Sequence, residues 1–490
     1  MFEKITPEQA GLSSAAVLKT LSKVEAQGYN FHSYMLLKDG KALSEAYWAP
    51  FTMGRPHRMY SITKSFVAVG IGYLYTKGLV DLDKPFVEYF PEYDKGQWNE
   101  NFKKQTVRHM LTMTTAVRPG YWFGDKPEDR LEHYLSSNAP RIPGSWFEYD
   151  SEGSFALGCL IEKISGKKLV DFLKESFLDE IGFSDNIKIL ECPGGHSWGD
   201  SAMICSMREL ALFTQFVANG GEWNGKQIID KMYMAEAISS LSRPDLSNDI
   251  SNEYAYGYQI WKPREDAFGF YGMGGQFGIC LPAKNMIFVC NADNQSPLSS
   301  TCSNILFNAV FDLFDACEDT ALEADDKAYA ELKNYEETRV LRTAMGADYN
   351  PIAEKVGGKN FVCNGNVMGW KNFSIDFNSK TLKYENAQGE KELKFDFGKN
   401  VFQKFPEKGY SDIVGTKPGA NGEHMYDCAV SAAWFAGNHF SIFVQVIDDY
   451  FGRLTLSFCF PDENSCGVYM HKTAEDFFKE YNGHLVAFAE

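Results

Sequence analysis

Residues 60–66 read Tyr60-Ser61-Ile62-Thr63-Lys64-Ser65-Phe66 and open a long apolar segment that ends at Lys77 and Gly78, as helices often do. On a helix, Ser61 and Lys64 share one face, so the lysine amine can reach the serine hydroxyl. The first helical turn also offers free backbone N–H groups and a positive dipole end, which favour a developing oxyanion. Burial among apolar neighbours would make Lys64 a proton acceptor. The stretch therefore predicts a nucleophile, Ser61, activated by Lys64.

A second match to the same S-x-x-K spacing lies at Ser165-Gly166-Lys167-Lys168. It falls at the end of a predicted helix beside a glycine, where no buried amine is expected. We therefore predict that Ser165 and Lys168 are solvated surface residues. Because short motifs match by chance, position within the helix decides between the two sites.

Residues 143–167 contain Tyr149-Asp150-Ser151 immediately before another predicted helix. A tyrosine beside a buried ammonium can take the serine proton or pass a proton to a leaving group, which makes Tyr149 a candidate general acid/base. The alternative is a core tyrosine whose hydroxyl has an ordinary hydrogen-bond partner. Ser151 is a candidate substrate-binding residue.

A glycine-rich turn, defined here as residues 272–276, reads Gly272-Met273-Gly274-Gly275-Gln276 and lies between two predicted strands. Glycines at a strand edge let the backbone approach a ligand closely, and one N–H group could be the second oxyanion donor. Gly274, Gly275 and Gln276 are therefore candidate substrate-binding residues. A hairpin turn without a ligand is the alternative.

Four aromatic or imidazole side chains lie on glycine-flanked loops, and such loops often line binding sites. They are candidates to shape an acyl pocket, although packing under long loops would explain them equally well. These residues are Tyr121, Trp122, His196 and Trp198.

The length of 490 residues exceeds what one hydrophobic core usually organises, so we expect two domains. Residues 1–316 mix helical and strand patterns, and residues 317–345 form an acidic segment predicted to be a helical linker. Residues 346–490 alternate apolar and polar residues and predict an antiparallel β domain, a barrel or a sandwich. A short closing helix is expected in TAEDFFKEYNG, residues 473–483.

The charge balance argues against a nucleic-acid partner, since 48 basic and 65 acidic residues give a net charge of −17 without a basic stripe. No uncharged apolar run approaches the roughly 18 residues needed to cross a membrane, and the first residues lack the pattern of a secretory signal. The eleven cysteines form no C-x-x-C pair and the histidines show no metal-ligand spacing. We therefore expect a cytoplasmic protein with reduced thiols, without a metal or cofactor.

Taken together, these segments resemble the penicillin-recognising serine hydrolases, in particular the branch with class C β-lactamases, esterases and 6-aminohexanoate-dimer hydrolases. The resemblance covers roughly residues 5–315 and includes, in order, PEQAGLSS, YSITKSF, TVRHMLTMTTAV, PGSWFEYDSEGSFALGCLIEKISGK and MRELALFTQFVANGGEWNGKQII. It implies an α/β fold of the β-lactamase/transpeptidase type, with an antiparallel sheet flanked by helices and an all-α subregion. It also implies a covalent acyl-enzyme route with Ser61 as nucleophile, Lys64 as its proton partner and Tyr149 as general acid/base.

Two departures from the family pattern bear on the substrate. Ser151 stands in the third place of the family's Tyr-x-Asn motif, and residues 272–276 lack the cation of the Lys-Thr-Gly or His-x-Gly motif. In β-lactamases that cation helps to hold the substrate carboxylate. The resemblance therefore points to a small-molecule ester, amide or short peptide rather than a β-lactam. A D-amino-acid peptidase or amidase acting on cell-wall-derived peptides, and a non-catalytic penicillin-binding-like sensor, are the alternatives. The sequence does not determine the oligomeric state.

Overall fold

The structure, a computed structural model of the chain, describes residues 2–118, 128–244, 255–294, 299–407, 425–448, 451–473 and 482–490. The contacts divide the chain into two compact units, the first ending at Val340 and the second beginning at Leu341. None of the helices in the described part of the chain is both long enough and apolar enough to cross a membrane.

The strands of the first unit form a large mixed sheet, a small sheet and a hairpin. In chain order they are β1 Glu3–Lys4, β2 Phe31–Lys38, β3 Lys41–Tyr47, β4 His57–Arg58, β5 Lys188–Ile189, β6 Met203–Cys205, β7 Glu222–Trp223, β8 Lys226–Gln227, β9 Ala255–Tyr256, β10 Trp261–Lys262, β11 Phe268–Gly272, β12 Gln276–Leu281 and β13 Met286–Ala292. The described strands of the large sheet follow the order β1-β3-β2-β13-β12-β11-β10-β9, with one parallel pair, β1 and β3. Strands β12 and β13 are buried along their whole length, which explains their continuous apolar runs.

The described α-helices of the chain are α1 Ser14–Ala26, α2 Ile62–Thr76, α3 Glu100–Lys104, α4 Val107–Leu111, α5 Arg130–Leu135, α6 Ser151–Ser165, α7 Leu169–Leu173, α8 Asp179–Ile181, α9 Met207–Ala218, α10 Lys231–Ala237, α11 Ser299–Asp315, α12 Asp326–Glu337 and α13 Ala353–Val356. Between β4 and β5 the described regular elements are all helical, which is the expected all-α subregion. Helix α2 packs against α6 and the end of β11. Because most of its residues are buried, α2 is apolar on nearly every side.

The acidic segment predicted as a linker contains α12, which packs on α1 and β3 inside the first unit. The Tyr335 hydroxyl donates to a Glu25 carboxylate oxygen at 2.5 Å, and the Ser44 hydroxyl donates to Glu336 at 2.5 Å. These long-range contacts attach α12 to the body of the first unit. That unit accordingly runs to Val340.

The second unit is an antiparallel sheet whose ten described strands are β14 Phe361–Cys363, β15 Asn372–Asp376, β16 Thr381–Asn386, β17 Gly389–Lys394, β18 Val401–Lys404, β19 Asp427–Phe435, β20 His439–Ile447, β21 Phe451–Cys459, β22 Ser465–Thr473 and β23 Gly483–Ala489. The Gln403 side chain bridges the edge strands by bonding both main-chain groups of Lys394, so the sheet nearly closes into a barrel. Its interior is rich in buried aromatic residues, among them Trp434 and Phe440. The predicted antiparallel β domain is confirmed, whereas the helix expected in TAEDFFKEYNG falls almost entirely on residues 474–481, outside the described residues.

Candidate active site

Ser61 immediately precedes α2 and occupies its N-cap position without using its side chain as a cap. The residue before it, Tyr60, has a φ of 49°, in the left-handed region that side chains rarely adopt. The Thr63 hydroxyl donates to the Tyr60 carbonyl at 2.6 Å, and the Arg58 guanidinium lies 4.4 Å from the centre of the Tyr60 ring. These contacts hold the turn that presents Ser61 at the start of the helix.

Lys64 lies on the same face of α2 as Ser61, as the spacing predicts. Its Nζ donates to Ser61 Oγ at 3.0 Å and to the main-chain oxygen of Asp200 at 2.8 Å. The residue is only 1% exposed. Lys64 is therefore a buried amine within hydrogen-bond distance of a hydroxyl, which is the geometry needed to accept its proton.

Tyr149 meets the Lys64 ammonium with the face of its ring, whose centre lies 4.9 Å from Nζ. The ring also lies nearly parallel to the indole of Trp261, with 5.7 Å between ring centres, and packs against the buried cluster of Met113, Phe147 and Tyr256. The side chain of Tyr149 is half-buried. The structure thus brings Tyr149 together with Ser61 and Lys64, from which it is separated by more than eighty positions in the sequence.

The glycine-rich turn joins β11 to β12, with Gly272 paired to Gln276. A Cβ atom on Gly272 would lie 2.2 Å from the carbonyl oxygen of Met59, so only glycine allows this approach to the chain that leads to Ser61. Gly274 and Gly275 have φ values of 82° and 96°, which side chains rarely adopt. The turn therefore lies against the segment that carries Ser61.

Gln276 is fully buried and holds the glycine-rich turn to β13. Its Nε2 donates to the carbonyl oxygens of Met273 at 3.1 Å and Ala292 at 2.7 Å, and its Oε1 accepts from Ala292 N at 3.2 Å. The amide is thus engaged with the backbone of the turn and of β13.

Comparison with known proteins identifies the family. The family model described as Beta-lactamase matches residues 26–309, which is more than half of the chain. The chain belongs to the beta-lactamase family. The resemblance, the fold class and the assignment as a hydrolase of this family, all predicted from the sequence, are confirmed.

Within the family, the chain is 21% identical to the 6-aminohexanoate-dimer hydrolase of Paenarthrobacter ureafaciens, over 49% of this chain and 67% of that protein. It is 26% identical to esterase EstB of Burkholderia gladioli, over 26% of this chain and 37% of that protein. A penicillin-binding protein homologue from Caulobacter crescentus shares the fold at a TM-score of 0.50 and 17% identity, over 61% of this chain and 97% of that structure. The aligned part therefore covers two thirds of the first relative and little more than a third of the second.

Ser151, in the third place of the family's Tyr-x-Asn motif, is the first residue of α6 and is half-buried. Asp150 caps the helix by accepting from Gly153 N at 2.8 Å, and the Thr115 hydroxyl donates to it at 2.9 Å. Burial raises the pKa of the Asp150 carboxyl. Since both of its oxygens are engaged, we assign Asp150 a structural role, which is to fix the backbone next to Tyr149.

His196 and Trp198 lie on the loop that leads to Asp200. His196 Nδ1 is 2.8 Å from a Glu162 carboxylate oxygen. Trp198 is buried, and the guanidinium groups of Arg58 and Arg130 lie 4.4 Å and 5.4 Å from the centre of its ring. The remaining two acyl-pocket candidates, Tyr121 and Trp122, lie outside the described residues.

Asp200 and Trp261 contact the candidate catalytic groups but were not singled out from the sequence. Asp200 follows the tryptophan-containing loop closely, and Trp261 lies on the strand-like segment before the glycine-rich turn. The only feature of the sequence that pointed to these two residues was their closeness to the loop with Trp198 and to the glycine-rich turn. No spacing rule connects either residue to Lys64 or Tyr149, which lie far away in the sequence.

The second S-x-x-K match shows a different geometry. Lys168 Nζ donates to the Gly195 carbonyl at 2.5 Å and pairs with Glu191 at 2.8 Å. The Ser165 hydroxyl accepts from Lys167 N at 3.2 Å. Lys168 is therefore committed to other partners at the surface. Among the described residues, no group of three or more His, Cys, Asp or Glu side chains could hold a metal ion.

Proposed function

We propose that the chain hydrolyses a carboxylic ester or amide through a covalent acyl-enzyme on Ser61. The observation that carries the proposal is the 3.0 Å contact between Lys64 Nζ and Ser61 Oγ at the start of a buried helix, with the Tyr149 ring against the same ammonium. A serine hydroxyl is a weak nucleophile unless a neighbouring base accepts its proton. Among the described residues, Lys64 is the basic group that contacts the Ser61 hydroxyl.

In the first half-reaction, uncharged Lys64 accepts the proton of Ser61 as Oγ attacks the substrate carbonyl carbon. The C=O bond becomes a C–O⁻ single bond, which backbone N–H groups of Ser61 and of the glycine-rich turn stabilise. As the tetrahedral intermediate collapses, the bond to the leaving group breaks, and Tyr149 delivers a proton to the departing oxygen or nitrogen. The product is an acyl ester on Ser61.

In the second half-reaction, a water molecule attacks the acyl ester and gives its proton to the Tyr149 phenolate left by the first half-reaction. As the bond between the acyl carbon and Oγ breaks, the Lys64 ammonium returns its proton to Oγ, which releases a carboxylic acid and restores the Ser61 hydroxyl and the uncharged amine. The reaction consumes only water and needs no redox partner.

The charge of the site favours a substrate without a carboxylate next to the scissile bond. The glycine-rich turn carries Met273, 43% exposed, and no lysine or histidine. Relatives named an esterase and a 6-aminohexanoate-dimer hydrolase support ester and amide bonds as the chemistry. We propose a small-molecule ester, amide or short peptide as the substrate, with β-lactams as poor substrates.

The thiols support the proposal that the reaction takes place in the cytoplasm. The ten cysteines whose side chains the structure describes carry no disulfide. Unpaired, mostly buried thiols are typical of proteins kept in a reducing compartment.

A substrate panel tests the proposal. Short-chain p-nitrophenyl esters, D-amino-acid amides and the cephalosporin nitrocefin are offered to the wild type, to Ser61→Ala and to the control Ser165→Ala. We expect ester or amide turnover by the wild type and the control, none by Ser61→Ala, and little hydrolysis of nitrocefin. Preference for D-amino-acid amides would identify the peptidase alternative. Acylation without turnover on every substrate would identify a sensor, and undiminished hydrolysis by Ser61→Ala would refute the proposal.

A further inference from the structure

Asp200 contacts the Lys64 ammonium in two ways. Its main-chain oxygen accepts a hydrogen bond from Nζ at 2.8 Å, and its carboxylate Oδ2 lies 3.9 Å from the same atom. The two side chains are only 2% and 3% exposed. The amine that activates the proposed nucleophile therefore has a buried carboxylate beside it, at a distance where the interaction is weakly screened.

The Asp200 carboxylate differs from the neighbouring carboxylates that have structural roles. Both oxygens of Asp150 accept hydrogen bonds, as do both oxygens of Glu162. For Asp200, by contrast, no described group donates to the buried Oδ1. The charges nearest to the Asp200 carboxylate are positive, since Lys64 Nζ lies 3.9 Å from Oδ2 and the charges of Arg130 and Arg58 also act on it.

The charged and titratable groups around Asp200 and Lys64 come from several helices, strands and loops. The guanidinium groups of Arg58 on β4 and Arg130 on α5 act on the carboxylate, together with Lys64. Tyr149 faces Lys64 from the loop before α6. Burial raises the pKa values of the Cys159 and Cys192 thiols, which also lie close to Asp200. Those thiols are uncharged at neutral pH, so the charges that matter are the three cations and Asp200.

We propose that Asp200 is a positioning residue for Lys64. Its main-chain oxygen holds the amine beside Ser61, and its carboxylate stabilises the ammonium that forms when Lys64 accepts the serine proton. This inference rests on the proposed function, because it assigns Asp200 a task in the activation of Ser61. The carboxylate acts through Lys64 and touches neither the substrate nor the reacting atoms.

The direction of the effect follows from the signs of the charges. A carboxylate close to an ammonium stabilises the charged form of the amine, so removal of the Asp200 charge should favour the uncharged form. Burial raises the pKa of the Asp200 carboxyl to about 6, while the charges of Lys64, Arg130 and Arg58 oppose this rise. Near and above neutral pH the carboxylate is therefore ionised and acts on Lys64.

The experiment measures the pH profile of kcat/KM on the best ester of the substrate panel. The acid limb of this profile reports the essential base of the free enzyme. Asp200→Asn keeps the main-chain oxygen and removes only the charge, so we expect the acid limb to move by about one pH unit toward lower pH. Asp200→Glu keeps a carboxylate and should leave the limb near its wild-type position. If Asp200→Asn does not fold, Asp200→Ser removes the same charge with a smaller side chain.

Glu209→Gln is the matched control. Glu209 is another buried carboxylate, which accepts from Ser206 and Ser184, and it makes no described contact with Lys64. This variant should lose stability while its acid limb stays in place. An Asp200→Asn enzyme with lower activity but an unmoved limb would mean that Asp200 is merely structural, and the inference would be wrong. The proposed function fails separately, if Ser61→Ala retains activity.

Discussion

The indole of Trp261 lies nearly parallel to the ring of Tyr149, with 5.7 Å between ring centres and 16° between ring planes. The Lys64 Nζ lies 4.9 Å from the centre of the Tyr149 ring, so the phenol contacts both an aromatic ring and a cation. Trp261 in turn stacks on Tyr271 at 5.4 Å and meets the edge of Tyr256. Tyr149 is thus held in place by aromatic contacts from the sheet.

Replacement of Trp261 tests whether this stack positions Tyr149. An aromatic pair is worth about 0.5–1.5 kcal/mol, so loss of the stack in Trp261→Leu should lower kcat by roughly 3- to 10-fold. Trp261→Phe keeps a flat ring and should lose less. The control is Trp223→Leu, at a half-exposed tryptophan that packs on Phe216. Equal kcat values for Trp261→Leu and the wild type would show that the stack has no positioning role.

Removal of the Tyr149 hydroxyl tests its role as general acid/base. Tyr149→Phe keeps the ring that contacts Lys64 and Trp261, so the fold should be retained. Turnover should fall by roughly 10²-fold or more, the usual scale for a positioned acid/base. Ser151→Ala, at the neighbouring helix start, should have a smaller effect. Steady-state kinetics together with circular dichroism make the comparison. Unchanged turnover in Tyr149→Phe would make Tyr149 a packing residue.

A fluorophosphonate probe tests which serine is the nucleophile. We expect one label per chain by mass spectrometry, and none in Ser61→Ala, because the structure pairs Ser61 Oγ with a buried lysine at 3.0 Å. Ser165→Ala should label like the wild type, since Lys168 is paired with Glu191 instead. Labelling of Ser61→Ala at the wild-type rate would place the nucleophile elsewhere.

The buried Asp200 carboxyl should make the stability of the protein depend on pH. Burial raises the pKa of this carboxyl from 3.8 to about 6, so the folded state binds its proton more tightly than the unfolded state. The contribution of Asp200 is therefore most favourable below about pH 4 and is lost as the pH rises through the interval up to about 6. The difference corresponds to about 3 kcal/mol at neutral pH.

The free energy of unfolding of the wild type should fall between pH 4 and pH 7 because of this carboxyl, whereas that of Asp200→Asn should not. The difference between the two proteins should therefore shift by about 3 kcal/mol in favour of Asp200→Asn over this pH range. Urea denaturation at a series of pH values measures the difference. Ser61→Ala retains the carboxyl and serves as the control that follows the wild type. Parallel pH dependences for Asp200→Asn and the wild type would contradict the prediction.

The sequence by itself determined the features that depend on local geometry. The Ser61–Lys64 contact follows from the spacing of two residues on one helix, and the turn between two strands follows from the glycines of residues 272–276. The distinction from Ser165 was also local, because that serine stands at a helix end. The alternating pattern after residue 346 predicted the antiparallel second unit, since side chains of a strand point to opposite faces in turn.

Only the tertiary structure decided which distant groups surround Lys64. Asp200 lies 136 positions from Lys64, and Trp261 lies on a strand far from Tyr149, yet both pairs are in contact. The same holds for α12, whose contacts with α1 extend the first unit to Val340. Helical and strand periods specify which face of an element is apolar, but not which other element covers it. That choice depends on how all the apolar surfaces of the chain can be buried together.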